Sequence, residues 1–317
     1  MKRVSVVMPV YNVEKYIKSA IQSVLDQTYQ NLELIIVNDG STDKSEEIYS
    51  QFTDSRIKII KQRNRGLAGA RNSGIRSSTG EYVAFLDSDD LWACDKLESH
   101  VQHLDNDDQI GVSYSHSKLI NESGKPIGIS QSSKVKNIEL GDIICRNPIG
   151  NGSSPVIRKS LLEQTSFHSS IQGNSELSYF DESFRQSEDI EYWIRIALVS
   201  ELKFEGIPRQ LTLYRVNASG LSANLNNQFE SWSRAMNKLA LIAPKRISKF
   251  RSLAEAYQLR YLARRAVKNG NCKHAIRLAL SAIRCNYRII FREPAKTSIT
   301  ILASIGIWLI PRSILVR

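Results

Sequence analysis

Short apolar runs alternate with amphipathic stretches along the first third of the chain. The runs are rich in Val, Ile and Leu, and the stretches between them carry apolar residues at helical spacing. Strands and helices that alternate in this way form a mostly parallel sheet with helices on both faces. Strands are predicted at residues 4–10, 32–38, 57–60, 82–86 and 110–114, and helices at 13–27, 44–52, 69–77 and 95–104. The sequence therefore predicts a Rossmann-like α/β fold for this part of the chain.

The pattern changes further along the chain. Residues 116–187 are rich in Ser, Asn, Gly and Pro and have weak periodicity, which predicts a loop-rich insertion. Apolar positions at helical spacing predict a helix from about Ile190. Near the C-terminus, residues 253–268 and 273–286 are typical of an antiparallel helical hairpin.

Charge divides the chain into two parts. The formal net charge is +11, but residues 1–230 hold 25 Lys and Arg against 30 Asp and Glu, whereas residues 231–317 hold 18 against two. With 42% hydrophobic and 24% charged residues, the composition excludes collagen-like, disordered and disulfide-scaffold proteins. We therefore expect an acidic α/β domain over residues 1–230 and a basic, all-helical region over residues 231–317.

One apolar segment, residues 297–310, lies within the basic region. It is shorter than the roughly 20 residues of a transmembrane helix, so we expect a buried or interfacial helix. Basic charge combined with one apolar element favours peripheral binding to an anionic membrane surface. A solvated helix surface is the alternative, and no sequence motif indicates nucleic-acid binding.

The N-terminus and the cysteines indicate the cellular compartment of the protein. Residues 4–10 are short, apolar and interrupted by Pro9, which favours a buried strand over a signal peptide. Four cysteines without Cys-x-x-Cys spacing are expected to be free thiols: Cys94, Cys145, Cys272 and Cys285. We expect a cytoplasmic protein that lies peripherally on the inner face of the cell membrane.

Several common motifs are missing from the sequence. No Gly-x-Gly-x-x-Gly follows the first strand, and Gly69 and Gly74 lack the Lys-Ser/Thr that a P-loop requires. There is no His-Glu-x-x-His helix and no Gly-x-Ser-x-Gly elbow. His100 and His103 have no third ligand nearby in sequence and are expected to be solvated.

Carboxylates follow the fourth predicted strand. Asp87 and Asp89 lie two apart on an extended chain, so they share one side and repel each other unless a cation lies between them. Mg²⁺ or Mn²⁺ would suit this pair, because such ions take one or two carboxylates and complete their shell with water and substrate phosphates. Capping of the next helix by Asp89 or Asp90 is the alternative interpretation.

Four segments just past the predicted strands resemble those of a known family in order and spacing. They are VVMPVYN at residues 6–12, VNDGSTD at 37–43, NRGLAGARN at 64–72 and FLDSDD at 85–90. Together they resemble the inverting family-2 glycosyltransferases, which have the GT-A fold. The resemblance covers about residues 1–230.

The resemblance implies a nucleotide-sugar site across the strand ends. Asp39 would accept a hydrogen bond from a uracil ring, and Arg71 would face the base or the diphosphate. Asp87 would face the ribose, and Asp89, with Asp87, would hold the divalent metal. The full set implied to bind the nucleotide sugar is Pro9, Tyr11, Asn12, Glu14, Asp39, Arg71, Asp87, Ser88 and Arg215.

A second segment, SEDIEYWIR at residues 187–195, is similar to the family's Glu-Asp motif under the acceptor site. Inverting transfer needs a carboxylate that removes a proton from the acceptor hydroxyl. On a helical wheel Asp189 borders the apolar seam and Glu188 points more nearly to the opposite side. Asp189 is therefore the expected base, with Glu188 as the alternate. The other interpretation is that the two carboxylates only stabilise the positive N-terminus of the helix.

The remaining features concern the type of transfer. Residues 208–217 resemble the family's closing Tyr-Arg element, in which Arg215 would support the diphosphate end, although Asn217 stands where His is frequent. The chain has no Gln-x-x-Arg-Trp, the mark of processive synthases, so transfer of a single sugar is expected.

The expected function is metal-dependent, inverting transfer from a nucleotide sugar, most simply a UDP-sugar. The acceptor would be a cell-surface polysaccharide or a lipid-linked glycan that contacts residues 116–187. The alternatives are a nucleotide-sugar-binding scaffold and a sugar-phosphate nucleotidyltransferase.

Overall fold

The computed structural model describes residues 1–171, 174–216 and 225–309. Its contacts divide the chain into two compact units. The first contains residues 1–139 and 148–220, and the second contains residues 140–147 and 221–317. Within the described residues, the first unit has an α/β fold and the second is helical. The short segment 140–147 joins the helical unit although nothing in its sequence pattern indicates this.

The first unit is built around one large sheet. Among the described residues, nine strands form it in the order β3-β2-β1-β4-β8-β6-β11-β5, with β7 paired to β6, and β9 and β10 form a separate hairpin. The strands are β1 Val4–Val10, β2 Leu32–Asn38, β3 Ile57–Lys61, β4 Tyr82–Phe85, β5 Leu91–Trp92, β6 Ile110–Ile120, β7 Pro126–Gln131, β8 Val156–Arg158, β9 Phe167–Ile171, β10 Asn174–Ser178 and β11 Lys203–Arg215. Strands β3, β2, β1 and β4 are parallel, whereas β8 is antiparallel to both β4 and β6. The predicted α/β class is confirmed, with a sheet that is parallel in its first half and mixed in its second.

The helices follow the strands as the sequence predicts. They are α1 Ile17–Leu25, α2 Ser45–Tyr49, α3 Gly66–Ser77, α4 Lys96–Asn106, α5 Leu140–Arg146, α6 Lys159–Gln164, α7 Glu188–Val199, α8 Leu225–Ile242, α9 Pro244–Lys268, α10 Cys272–Cys285, α11 Arg288–Arg292 and α12 Pro294–Leu309. All seven residues of β1 are buried, because the strand lies between β2 and β4. Helix α3 lies so close to β1 that a Cβ at Gly74 would fall 2.2 Å from Cγ1 of Val7. This close approach fixes the position of α3, which carries site residues.

The prediction of a loop-rich insertion at residues 116–187 was wrong. This segment completes β6 and supplies β7 and β8 to the central sheet. Buried serines of this segment are paired with other polar groups: Ser154 Oγ accepts from the backbone N–H of Ser115 at 3.0 Å, and Ser117 Oγ accepts from Asn151 Nδ2 at 2.8 Å. Polar side chains that are buried and paired with one another leave no apolar alternation for a sequence pattern to detect.

The second unit contains the predicted helical hairpin. Helices α9 and α10 pack against each other across a turn in which Gly270 has a φ of +69°. Helix α12 covers the predicted apolar segment up to Leu309, and Ile310 lies outside the described residues. No described helix is both long enough and apolar enough to cross a membrane. The four cysteines are free, as predicted.

Candidate functional site

The loops after β1 and β2 are joined by hydrogen bonds at the carboxyl end of the sheet. Asn12 has a φ of +53°, and its Oδ1 accepts from the backbone N–H of Thr42 at 2.8 Å. Glu14 Oε2 accepts from the backbone N–H of Lys44 at 2.9 Å. Tyr11 is 51% exposed beside them. The polar side chains therefore shape this edge, and the exposed ring of Tyr11 offers a stacking surface.

Asp39 holds the start of α3. It is buried, and its Oδ1 accepts from Gln62 Nε2 at 2.6 Å and from the backbone N–H of Arg65 at 2.8 Å. Its Oδ2 accepts from the backbone N–H of Gly66 at 2.8 Å. Burial raises the pKa of Asp39, and these hydrogen bonds partly offset that effect. The structure thus gives Asp39 a role at the helix start, and its contact with a uracil ring stays a prediction.

Arg71 connects two parts of the site that are far apart in sequence. Its side chain is buried, with Nη2 at 2.8 Å from Asp87 Oδ1 and Nη1 at 3.0 Å from Glu188 Oε1. The guanidinium carbon lies 5.8 Å from the ring centroid of Phe85 and 5.4 Å from that of Phe180. Because a planar guanidinium can bond two carboxylates through separate nitrogens, it ties the end of β4 to the start of α7.

The acidic turn after β4 is anchored by its last member. Asp90 is buried, with Oδ2 accepting from Ser153 Oγ at 2.6 Å and Oδ1 accepting from the backbone N–H of Arg215 at 2.7 Å. Burial and the charges of Asp89 and Asp87 raise the pKa of Asp90 well above its ordinary value. Helix capping by this turn is ruled out, because β5 intervenes before α4 begins at Lys96.

The other carboxylates of the turn are more accessible. Asp87 and Asp89 are partly exposed, whereas Ser88 between them is buried. Carboxylates that are partly open to solvent, beside a buried Asp90 that fixes the turn, form a donor set of hard oxygens.

Arg215 braces the same turn from β11. Its Nε donates to the backbone carbonyl of Asp89 at 2.6 Å, and its Nη1 donates to the carbonyls of Asn121 at 2.8 Å and Glu122 at 2.7 Å. Its guanidinium carbon lies 4.6 Å from the ring centroid of Tyr16. The side chain thereby holds the turn in place, and its predicted contact with a diphosphate stays a prediction. Asn217 lies outside the described residues.

The acidic pair opens helix α7. Glu188 is 6% exposed, and burial together with the charge of Asp189 raises the pKa of Glu188 to about 7. Asp189 is half-buried, and burial raises its pKa while Arg71 counteracts this. The helical wheel places Glu188 nearly opposite the apolar seam, but the structure buries its side chain beside Arg71. Asp189 is consequently the more accessible of the two carboxylates.

Two side chains that are not among the predicted site residues support this centre, Asn72 and Ser153. Asn72 fixes the segment before α7, because its Oδ1 accepts from the backbone N–H groups of Tyr179 at 3.0 Å and Phe180 at 2.8 Å. Ser153, from the loop before β8, accepts from the backbone N–H of Asp87 at 3.0 Å. Asn72 stands within the resembling segment 64–72, but Ser153 lies in a segment with no motif.

Gly152 leaves room for the central ion pair. A Cβ at this position would lie 2.2 Å from Arg71 Nη2 and 3.1 Å from Asp87 Oδ2. Gly152→Ala is therefore expected to displace the pair and to lower the free energy of unfolding by about 1–3 kcal/mol, the usual cost of overpacking. Urea denaturation measures this, and a variant as stable as the wild type would show that the pair tolerates an added methyl group.

A buried hydrogen-bond network lies behind the loop that carries Ser153. Lys96 Nζ donates to the carbonyl of Ser154 at 2.6 Å and lies 3.2 Å from His100 Nε2. The Nδ1 atoms of His100 and His103 lie 2.7 Å and 2.8 Å from Ser113 Oγ. The expectation of solvated histidines was wrong, because His100 is 0% exposed. Sequence spacing alone does not show that α4 turns this face into the protein.

The burial of His100 in this network predicts that the stability of the protein depends on pH. Burial and the neighbouring charges of Lys96 and His103 lower the pKa of His100 well below its ordinary value. The unfolded chain takes up a proton at His100 below about pH 6.5 whereas the folded chain does not, so the contribution of His100 to the free energy of unfolding falls by up to about 1.4 kcal/mol per pH unit on acidification. In His100→Gln this contribution is absent, so the variant is expected to lose less stability than the wild type between about pH 7.5 and about pH 5.5, and urea denaturation measures the difference. Equal pH dependence in both proteins would contradict the prediction.

The structure of the chain is similar to solved structures of other proteins. The chain matches S. aureus TarS 1–349 in complex with UDP-GlcNAc with a TM-score of 0.62 at 18% identity, over 97% of this chain and 89% of TarS 1–349. It also matches the mannosyltransferase PcManGT of Pyrobaculum calidifontis, in complex with GDP-Man and Mn²⁺, with a TM-score of 0.59 at 19% identity over 97% and 86% of the two chains. The chain therefore has the GT-A fold.

The sequence comparisons then define the family. Residues 5–164, just over half of the chain, match the family model described as Glycosyl transferase family 2. The E. coli UDP-Glc:alpha-D-GlcNAc-diphosphoundecaprenol beta-1,3-glucosyltransferase WfgD is 31% identical over 70% of this chain and 80% of its own length. The chain belongs to glycosyltransferase family 2. It spans 43%, 33% and 31% of the lengths of three uncharacterized glycosyltransferases from Rickettsia species.

Proposed function

We propose that the chain transfers a single sugar from a nucleotide sugar to a hydroxyl of a glycan, with inversion at the anomeric carbon. The observation that carries the proposal is the double ion pair of Arg71, which brings Asp87 of the donor side and Glu188 of the acceptor side into one cluster. Asp189 follows directly on Glu188. The two halves of a transfer site are therefore supported by one buried residue.

A divalent cation fits the acidic turn. Asp89, with Asp87 beside it, would hold Mg²⁺ or Mn²⁺, while Asp90 is committed to Ser153 and Arg215. The described residues contain no group of three or more His, Cys, Asp or Glu side chains that could hold a metal. One or two carboxylates suffice for such an ion, because water and substrate phosphates complete its shell. When bound, the ion supplies Lewis-acid stabilisation of the departing diphosphate.

The chain's own residues supply the remaining chemistry. Asp189, half-buried at the start of α7, would accept the proton of the acceptor hydroxyl as the oxygen attacks the anomeric carbon. Glu188 is the alternate base, but its Oε1 already accepts from Arg71 Nη1. Tyr11, Asn12 and Asp39 would shape the base pocket at the ends of β1 and β2.

The similar proteins support a UDP-sugar and a lipid-linked acceptor. WfgD is named for transfer from UDP-Glc to a GlcNAc-diphosphoundecaprenol, and the TarS structure contains UDP-GlcNAc. We extend both features to this chain, in which the acceptor would be a lipid-linked glycan precursor or a cell-surface polysaccharide. Such an acceptor would place the protein at the cytoplasmic face of the membrane as a peripheral protein.

A screen of UDP-, GDP- and TDP-sugars for nucleotide release with Mg²⁺ or Mn²⁺ tests this function. Release from UDP-sugars, abolished by a chelator, is expected. Binding of UDP without release from any donor, in the presence of lipid-linked acceptors, would instead indicate a nucleotide-sugar-binding scaffold. Formation of a nucleotide sugar from a sugar phosphate would indicate a nucleotidyltransferase.

A further inference from the structure

Helix α12 is arranged in the opposite way to an ordinary surface helix. Thr297, Thr300 and Ser304 are only 3%, 2% and 1% exposed. Ile299 and Leu302 are 64% and 67% exposed. A helix on a water-exposed surface buries its apolar side chains instead, because removing them from water stabilises the fold.

The buried hydroxyls of α12 are all paired. Arg260 Nη1 donates to Thr297 Oγ1 at 2.7 Å. Thr300 and Ser304 each donate to the backbone carbonyl four residues earlier, both at 2.7 Å. Helix α12 packs on α9 and α10. A small, hydrogen-bonded polar face towards the protein with large apolar side chains outward is typical of helices that meet an apolar medium.

The neighbouring helix α11 exposes aromatic and basic side chains. Phe291 is 76% exposed and Tyr287 is 62% exposed, with their ring centroids 6.4 Å apart. Glu293, the acidic residue between the two helices, is engaged by Arg146 and Arg260. We define the α11–α12 surface as a set of exposed residues on the two helices together with Tyr287, directly before α11: Tyr287, Arg288, Phe291, Arg292, Lys296, Ile299 and Leu302.

We propose that the α11–α12 surface binds an anionic lipid bilayer, with its apolar side chains in the interface and its basic side chains at the headgroups. Charge selects lipid over a second copy of the chain. Residues 231–317 contain 18 Lys and Arg but two Asp and Glu, so a second copy would set like charge against like charge. Anionic headgroups supply the opposite charge. The inference rests on the proposed function, because an acceptor carried on a lipid has to be reached at a membrane.

Vesicle binding by the full chain tests the surface. The probes are vesicles of phosphatidylcholine with phosphatidylglycerol and vesicles of phosphatidylcholine alone, in co-sedimentation. The wild type is expected to bind the anionic vesicles, and added salt is expected to weaken binding. The double variant Ile299→Gln/Leu302→Gln is expected to bind about tenfold more weakly, because it removes two exposed apolar side chains from the interface.

Leu241→Gln is the matched control. Leu241 is a leucine of the same unit and is 87% exposed, but it belongs to α8 and lies outside the α11–α12 surface, so its replacement is expected to leave binding unchanged. No binding of the wild type to anionic vesicles at low salt would overturn the proposal, as would equal loss in both variants. A dimer of the wild type that dissociates only in the double variant would also overturn it, in favour of self-association.

A nucleotide-release assay distinguishes failure of the membrane-binding proposal from failure of the proposed function. Because the α11–α12 surface contains no donor-site residue, the double variant is expected to release nucleotide from a UDP-sugar at the wild-type rate with a detergent-solubilised acceptor. Vesicle binding without any nucleotide release would count against the proposed function alone. Nucleotide release without vesicle binding would count against the surface alone.

Discussion

Asp189→Asn is expected to bind UDP with wild-type affinity and to transfer sugar about 10²- to 10⁴-fold more slowly, the range that a general base contributes. The asparagine keeps the size of the side chain but does not take up the proton of the acceptor hydroxyl. Sugar transfer to a lipid-linked acceptor and a UDP titration measure the two quantities separately.

Glu188→Gln is the control for this prediction. The glutamine carbonyl still accepts a hydrogen bond from Arg71, so the carboxylate of Glu188 is lost while its contact is retained. Transfer is expected to fall much less than in Asp189→Asn. A fully active Asp189→Asn together with an inactive Glu188→Gln would reassign the base to Glu188.

Arg71→Met is expected to destabilise the fold by about 3–5 kcal/mol, because it leaves the carboxylates of Asp87 and Glu188 without their buried cation. UDP affinity is expected to fall as well, since Asp87 loses the partner that orients it. Arg71→Lys is expected to recover only part of the loss, because one ammonium does not reproduce two guanidinium contacts. Urea denaturation and UDP titration measure both effects.

Arg76→Met, on the same helix, is the matched control. Arg76 is partly exposed and bonds Glu176 at 3.1 Å, so its removal is expected to cost no more than about 1 kcal/mol. If Arg71→Met were as stable as Arg76→Met, Arg71 would not be the central support of the site.

The sequence predicts the local elements well because they depend on neighbouring residues. Strands β1 and β2 have the predicted bounds, since a fully buried strand is a mainly apolar run followed by polar residues. The hairpin of α9 and α10 follows from helical periodicity on both sides of Gly270. The four resembling segments follow β1, β2, β3 and β4, so the sequence also predicts which edge of the sheet carries the proposed site.

The sequence does not predict contacts that depend on long-range packing. Arg71 and Glu188 are 117 residues apart, and their pairing reverses the burial order that a helical wheel gives for Glu188 and Asp189. The loop before β8 carries Gly152 and Ser153 into the site without any motif. The sequence of α12 likewise shows an apolar segment but does not show that its Thr and Ser side chains face the protein.

The proposed function requires that the acidic turn and its surroundings bind the diphosphate of a nucleotide through a divalent cation. Titration of UDP into the full chain, with Mn²⁺ and with a chelator, tests it most directly. We expect binding in Mn²⁺ that weakens by at least about tenfold, or about 1.4 kcal/mol, with the chelator and in Asp89→Asn. Equal UDP affinity under all three conditions, or no UDP binding in Mn²⁺, would contradict metal-dependent binding of the donor at this turn.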